Sequence, residues 1–343
     1  MTLTSCVDKS DQLLIGLASG DSLGSTSEFL PLDRVRHLLD SKNGWPFKQV
    51  GGGAFGWKPG EPTDDTDMAM AIYRALKDSD GQFNPERIIA NFIAWYDSHP
   101  RDIGATTARL LSAHRSAFDV GYDWLSVSMK QYSSQAAANG SLMRNGIIAG
   151  CAPDTLTAMR YAAIQSLITH PAPLPVICCV IQTWIQRRML DGQTIGDQWQ
   201  SDAISAVLDW KDRCASEDGV LARWLDTVGS DFNTAIDIMS HLDGSLDYNP
   251  YSPNAIQHQG YVLTTLQIGV WALRWALEGV PFPSAPDWLK PVTARTGVDT
   301  LAWVACIGRD SDTYGAVAGS LLASKFDLPS YFTDGLMVLR ELS

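Results

Sequence analysis

Apolar positions recur along this chain at helical spacing. Ile88, Ile89, Phe92, Ile93 and Tyr96 fall on one face of a 3.6-residue period, and Asn84 with Pro85 just before them supplies an N-cap and a first-turn proline. A second stripe, Val262, Leu266, Val270, Leu273 and Leu277, runs into Gly279 and Pro281, the residues that stop a helix. The same spacing predicts helices over 11–18, 68–77, 156–169, 202–210, 232–242 and 314–326. Sustained two-residue alternation with β-branched enrichment is absent, so the chain is predicted to be all-α. Three stretches, 44–63, 244–253 and 280–297, are rich in Gly and Pro but also carry aromatics, unlike flexible linkers. No internal repeat is visible. The expectation is one compact helical domain over 1–343, with 1–10 as an N-terminal extension.

Composition narrows the function classes. Hydrophobic residues make up 45% and charged residues 19% of 343, enough apolar material for a large core and too little polarity for general disorder. Lys and Arg number 26 against 38 Asp and Glu, a net charge of −12 with no basic block, so nucleic acid is not an expected partner. Cys6, Cys151, Cys178, Cys179, Cys214 and Cys306 form no C-x-x-C pair and read as reduced core residues. The greasiest windows are 175–185, too short to span a bilayer, and 261–280, interrupted by Thr264, Thr265, Gln267 and Arg274. No membrane association is expected. Asp8, Lys9 and Asp11 precede any apolar run, which does not fit a secretory signal, and a cytoplasmic protein is expected.

Two acidic clusters stand where loops run into helices. Thr63-Asp64-Asp65-Thr66-Asp67 precedes the helix at 68–77, and Gly308-Arg309-Asp310-Ser311-Asp312-Thr313 precedes the helix at 314–326. An acidic first turn favourable to the helix dipole accounts for either cluster alone. Together they share the order of acids and hydroxyls. If the two helices pack on each other, as the small residues Ala69, Ala71, Ala75, Gly315, Ala316, Ala318 and Gly319 would permit, the tips form an all-oxygen cage. Hard divalent ions such as Mg²⁺ or Mn²⁺ suit such a cage, whereas Zn²⁺ would recruit His or Cys. Without a cation, converging carboxylates would be poorly compensated.

Three further segments carry candidate chemistry. Asn139-Gly140-Ser141-Leu142-Met143-Arg144 is turn-rich; its backbone N–H groups suit a phosphate, Arg144 suits an anion or a buried carboxylate, and a tight interhelical turn is the alternative. His170 between Thr169 and Pro171 reads as a helix cap, a core hydrogen-bonder or a catalyst. Gly20-Asp21-Ser22-Leu23-Gly24 satisfies the G-x-S-x-G nucleophile pattern, but the residues before it read as helix rather than strand, and no histidine lies three residues after an Asp. Ser22 is not taken as a nucleophile.

Taken in order, these segments resemble the ADP-ribosylglycohydrolase family. The family's opening helix and G-D-x-x-G segment leading to a glutamate match Gly16 through Gly24 and then Glu28, and its T-D-D-T motif is Thr63 to Thr66. Its N-G-x-x-M-R loop is Asn139 to Arg144, its T-H-P element is Thr169 to Pro171, Gly260-Tyr261-Val262 matches a helix start, and the closing G-G-D-T-D-T motif appears as Gly308 to Thr313. Arg309 stands where glycine is usual and Ser311 where threonine is usual. Neither replaces an acid.

The resemblance implies a single compact orthogonal helical domain with two Mg²⁺ or Mn²⁺ ions in a cleft. It implies Thr63, Asp64, Asp65, Asp310, Asp312 and Thr313 as metal ligands, Glu28 as a mobile-loop glutamate beside them, and Asn139, Gly140, Ser141, Met143, Arg144, His170 and Tyr261 as substrate contacts. The implied chemistry is hydrolysis of a glycosidic bond through an oxocarbenium-like state, with Glu28, Asp65 or Asp310 moving the proton. The substrate is then an ADP-ribosylated protein, arginine-linked in the first instance; serine-linked, poly-ADP-ribose or small conjugates are the enzymatic alternatives. An ADP-ribosylating toxin, countered as by an immunity protein, is a candidate partner. A non-enzymatic, crystallin-like role is the alternative outside catalysis.

Overall fold

The computed structural model of the protein describes residues 3–41, 44–79, 81–117, 122–252, 254–279, 282, 286–289 and 297–342. Pro281, Pro253 and most of the stretch 280–297 singled out above lie outside these residues. Among the described residues there is no strand; Gly52 with Trp57 and Ala138 with Tyr261 make isolated bridges only. In chain order the helices are α1 (Leu3–Gly24), α2 (Leu32–Ser41), α3 (Asp64–Lys77), α4 (Pro85–Asp97), α5 (Ala105–Ala117), α6 (Trp124–Met129), α7 (Ile148–Cys151), α8 (Thr155–Thr169) and α9 (Pro173–Leu190). They continue as α10 (Trp199–Glu217), α11 (Gly219–Val228), α12 (Ser230–Ser240), α13 (Val262–Glu278), α14 (Thr300–Ala305), α15 (Ser311–Ala323), α16 (Ser330–Thr333) and α17 (Leu339–Leu342). None of the described helices is long and apolar enough to cross a membrane.

Local chemistry sets the helix ends. Asn84 caps α4 by accepting the Arg87 N–H at 2.9 Å, with Pro85 in the first turn, and the α4 stripe buries Ile88, Ile89 and Phe92. Gly279 ends α13 in the left-handed region at φ 66°, where a side chain would be strained. Helix α13 is buried nearly all round, its polar positions included. Gln267 donates to the Asp243 carbonyl at 2.7 Å and Arg274 to the Gly244 carbonyl at 2.6 Å, so burial costs them no hydrogen bond. Helix α9 likewise lies inside, from Pro173 to Met189. The sequence pattern treats this segment only as too short for a membrane, because a stripe has contrast and a fully buried helix has none.

The longest seam joins α1 to α15. Gly16, Gly20 and Gly24 on α1 face Gly319, Gly315 and Ser311 on α15, and a Cβ added at Gly20 would fall 1.8 Å from the Gly315 carbonyl oxygen. The backbones touch directly. The small-residue packing differs from expectation here, and the reading of Ser22 as no nucleophile agrees with the structure. The small residues of α15 serve α1, while α3 and α15 meet over a smaller area. Helix α1 also continues through Gly20-Asp-Ser-Leu-Gly24, which puts Ser22 on a buried helix and not on a strand-to-helix elbow. Helix α15 begins at Ser311, so Asp312 and Thr313 stand in its first turn rather than in the loop before it. Cys178, Cys179, Cys214 and Cys306 are buried and Cys151 is half-buried, and none of these five is in a disulfide.

Candidate active site

The two acidic helix starts meet. Thr313 Oγ1 lies 3.4 Å from Asp65 Oδ2, across 248 residues of sequence, and Thr63 Oγ1 lies 3.3 Å from the same oxygen. Thr63 is the N-cap of α3, with its hydroxyl accepting the Asp65 N–H, and Asp64, Asp65 and Asp67 fill the first turn. Asp21 anchors this turn from α1: its Oδ2 accepts the N–H groups of Thr63 and Thr66 at 3.1 Å each and the Thr66 hydroxyl. Asp21 is therefore a clamp, visible in the sequence only as part of a glycine-framed segment.

Asp64, Asp310, Asp312 and Thr313 line one cavity of about 390 Å³ together with Glu28, Asn139, Gly140, Met143 and His170. Asp102, from the loop before α5, also lines it. One carboxylate oxygen from each of Glu28, Asp102 and Asp312 lies within 4.8 Å of the others. Sequence reasoning missed Asp102 because a lone acid after Arg101 carries no local signal.

Burial makes these acids resist ionisation. It raises Asp64, Asp65 and Asp312 well above the ordinary carboxylate range, with neighbouring carboxylates adding to the effect. Glu28 is pushed up to about 9 by burial and by the charges of Asp102, Asp310, Asp64 and Asp21. Asp21 rises to about 7, again by burial, despite its hydrogen bonds to Thr66 and Thr63. Asp310 is raised by burial and partly relieved by Asn139, whose amide donates to its Oδ2 at 2.7 Å. Burial also raises Asp102. None of the described ion pairs includes any of these seven acids.

Three oxygens of the acidic cluster test whether a cation fits. Glu28 Oε2, Asp65 Oδ1 and Asp312 Oδ1 are buried without a hydrogen-bond partner. Oxygen-only donors, orphaned and mutually repelling, are what a hard divalent ion compensates and what an uncharged ligand would not. The residues fit Mg²⁺ or Mn²⁺ as a class.

The opposite wall is built differently. Asn139 and Gly140 face the cavity, and Asn139 also donates to Thr265 Oγ1 at 2.9 Å. Ser141 and Arg144 lie behind this wall rather than on it. Ser141 Oγ accepts from Ser166 Oγ at 2.8 Å, and Arg144, fully buried, donates to Gln165 Oε1 at 2.9 Å and to Thr169 Oγ1 at 2.7 Å. Arg144 thus reaches no anion in the cavity and no buried carboxylate, because its donors are used inside the core. Tyr261 N-caps α13 and pairs through its backbone with Ala138; Gln259 and Gly260, not its ring, line the cavity.

The rim is tied to the closing motif. Phe29, at φ 60° and 50% exposed, donates its N–H to the Arg309 carbonyl, and the Arg309 N–H donates to the Leu30 carbonyl at 2.9 Å. Arg309 holds φ 62°, a conformation that favours glycine, and its guanidinium donates to the Ile256 carbonyl. Its charge is directed to that loop, and it is not among the residues lining the cavity.

Comparisons with known proteins bear on the family and the fold. The family model described as ADP-ribosylglycohydrolase matches residues 4–337. The chain is 26% identical over 330 residues to the ADP-ribosylarginine hydrolase Tri1 of Pseudomonas putida (strain GB-1), covering 95% of this chain and 72% of that one. It is 30% identical over 200 residues to the ADP-ribosyl-[dinitrogen reductase] glycohydrolase of Rhodospirillum rubrum, covering 56% of this chain and 62% of that one. A 131-residue stretch is 37% identical to a protein of Acanthamoeba polyphaga mimivirus, 38% of either length. A solved structure described as an ADP-ribosylglycohydrolase-related protein complex superimposes with a TM-score of 0.61 at 20% identity, over 99% of this chain and 95% of that one.

Proposed function

The chain belongs to the ADP-ribosylglycohydrolase family, and on that premise we propose that it hydrolyses the glycosidic bond between ADP-ribose and an arginine side chain, with two divalent cations held between the starts of α3 and α15. The observation that carries this reading is the set of orphaned carboxylate oxygens: those of Glu28 and Asp312, which line one cavity, and that of Asp65 in the first turn of α3 beside the lining Asp64. Asp64, Asp65, Asp310 and Asp312, with Thr63 and Thr313, would hold the cations. Bound there, such ions supply electrostatic stabilisation to the ribose hydroxyls and to an attacking water.

The remaining roles follow from position. Glu28 and Asp102 face the cavity beside Asp312, and a carboxylate there can hold or move the proton of the water. Asp65, whose Oδ2 is shared by two threonine hydroxyls behind the lining, is a weaker choice for that step, and Asp310 is engaged by Asn139. A guanidinium leaving group suits an acid-lined pocket, because several carboxylates attract its charge and accept its N–H groups. That preference, together with relatives named for arginine-linked ADP-ribose, favours arginine over serine. Asn139 and Gly140 with His170 would hold the ribose and phosphates, while Ser141 and Arg144 support them from behind.

The test presents ADP-ribosyl-arginine, ADP-ribosyl-serine and poly-ADP-ribose in parallel with Mg²⁺ or Mn²⁺ and follows release of ADP-ribose. Arginine-linked substrate is expected to turn over fastest, with EDTA abolishing activity and either ion restoring it. Equal turnover with EDTA present would remove the cation from the reading, and preference for serine-linked substrate would remove the arginine assignment.

A further inference from the structure

Behind the wall formed by Asn139 and Gly140, the hydrogen bonds of Arg144 have only one direction. A guanidinium donates and never accepts. Arg144 spends its Nη2 on the Gln165 carbonyl at 3.0 Å and on Thr169 Oγ1 at 2.7 Å, its Nε on Gln165 Oε1 at 2.9 Å, and lies 4.5 Å above the Phe92 ring. Thr169 Oγ1 therefore accepts from Arg144, and its single hydrogen remains for His170 Nδ1, 2.8 Å away. No other bond of the Thr169 hydroxyl is present among the described residues. Burial, with the charges of Arg144 and Arg109 behind it, pushes His170 down to about 3, so the ring is neutral and carries one hydrogen. If Nδ1 accepts, that hydrogen sits on Nε2.

His170 lines the cavity together with Gly140 and Thr107, its Nε2 has no hydrogen-bond partner among the described residues, and a Cβ added at Gly140 would stand 2.9 Å from Cε1, 3.2 Å from Nε2 and 3.0 Å from Thr107 Oγ1. A side chain there would cover the Nε2 edge. We propose that Arg144 and Thr169 are positioning residues that lock His170 in its Nε2–H tautomer, so that this side of the cavity presents a fixed hydrogen-bond donor to an acceptor oxygen of the ligand. The opposite tautomer would aim a lone pair at a phosphate or ribose oxygen and repel it. The identity of the ligand rests on the functional reading above; the tautomer does not.

Long-range ¹H–¹⁵N NMR of the histidine-labelled full chain reads the tautomer directly. The expected result is a protonated Nε2 and a bare Nδ1 on His170. Thr169→Val, which keeps the shape and removes the hydroxyl, is expected to mix or reverse the tautomers and to weaken ADP-ribose binding about tenfold, the loss of one hydrogen bond to an anionic ligand. Thr169→Ser is expected to restore both. A protonated Nδ1 in the unmodified chain, or an unchanged tautomer and affinity in Thr169→Val, overturns the proposal; the first needs no variant to fold. An Nε2–H ring in a chain with no affinity for ADP-ribose would count against the hydrolase reading and leave the relay standing.

Discussion

The two walls of the cavity handle burial in opposite ways. On the acid wall, Asp64, Asp65 and Asp312 are buried with their ionised forms disfavoured, and Asp65 Oδ1 and Asp312 Oδ1 have no partner. Behind the other wall, Arg144, Asn145, Gln165 and Gln182 are equally buried, yet their polar groups are joined. Asn145 Nδ2 donates to Gln182 Oε1 at 2.9 Å, Gln165 Nε2 donates to Asn145 Oδ1 at 3.0 Å, and Gln182 Nε2 donates to Ser320 Oγ at 3.1 Å. A network complete in itself is scaffold, because nothing added to it gains a bond. A network left open is a site: its missing partner is supplied by what binds there.

This contrast makes opposite predictions for substitutions on the two sides. Asp312→Ala is expected to lower ADP-ribosyl-arginine hydrolysis roughly a thousandfold while leaving the melting temperature of the ion-free chain unchanged or raised, since one buried carboxyl that resists ionisation has gone. A large fall in that melting temperature would show the acid wall to be structural. Arg144→Met is expected to act first on stability: Gln165 and Thr169 lose their donor inside the core, at a cost of about 3 kcal/mol, read as a drop of roughly 4 °C by calorimetry, with ligand binding weakened only through the freed His170 ring.

The cation test comes next in size. Raised carboxyl pKa values mean that the folded ion-free chain keeps protons that the unfolded chain has released. Their contribution to stability is therefore present at low pH and lost as pH climbs through the raised values, about 7 for Asp21 and about 9 for Glu28. The ion-free melting temperature should fall between pH 5 and 9, and the gain from Mn²⁺ should grow over the same interval. At a hundredfold excess over Kd the gain is about 2.7 kcal/mol, roughly 4 °C for a chain of this length. A gain independent of pH would mean that these carboxylates do not bind the ion.

The smallest effect concerns the seam that carries the acid wall. Gly20→Ala forces α1 from α15, with the added Cβ 1.8 Å from the Gly315 carbonyl oxygen, and is expected to cost about 2 kcal/mol of stability. Because Asp21 on α1 and Asp312 on α15 move with that seam, kcat should fall further than the stability loss alone explains. Calorimetry beside steady-state kinetics separates the two.

The sequence by itself determined that the chain is helical and where most helix faces lie, since stripes such as Ile88, Ile89 and Phe92, and caps such as Asn84 and Gly279, act within a few residues. It also marked both acidic clusters, because acids and hydroxyls repeat there in the same order. Only the tertiary structure decided what these pieces meet. It placed glycines of α1 against α15 where the small residues of α3 had been expected, buried α9 and α13 on all sides, added Asp102 and the Asp21 clamp, and turned Arg144 from the cavity into the core. Each depends on contact between residues far apart in the chain: local periodicity reports which face of a helix is apolar, and it is silent on which distant carbonyl, carboxylate or hydroxyl will stand opposite.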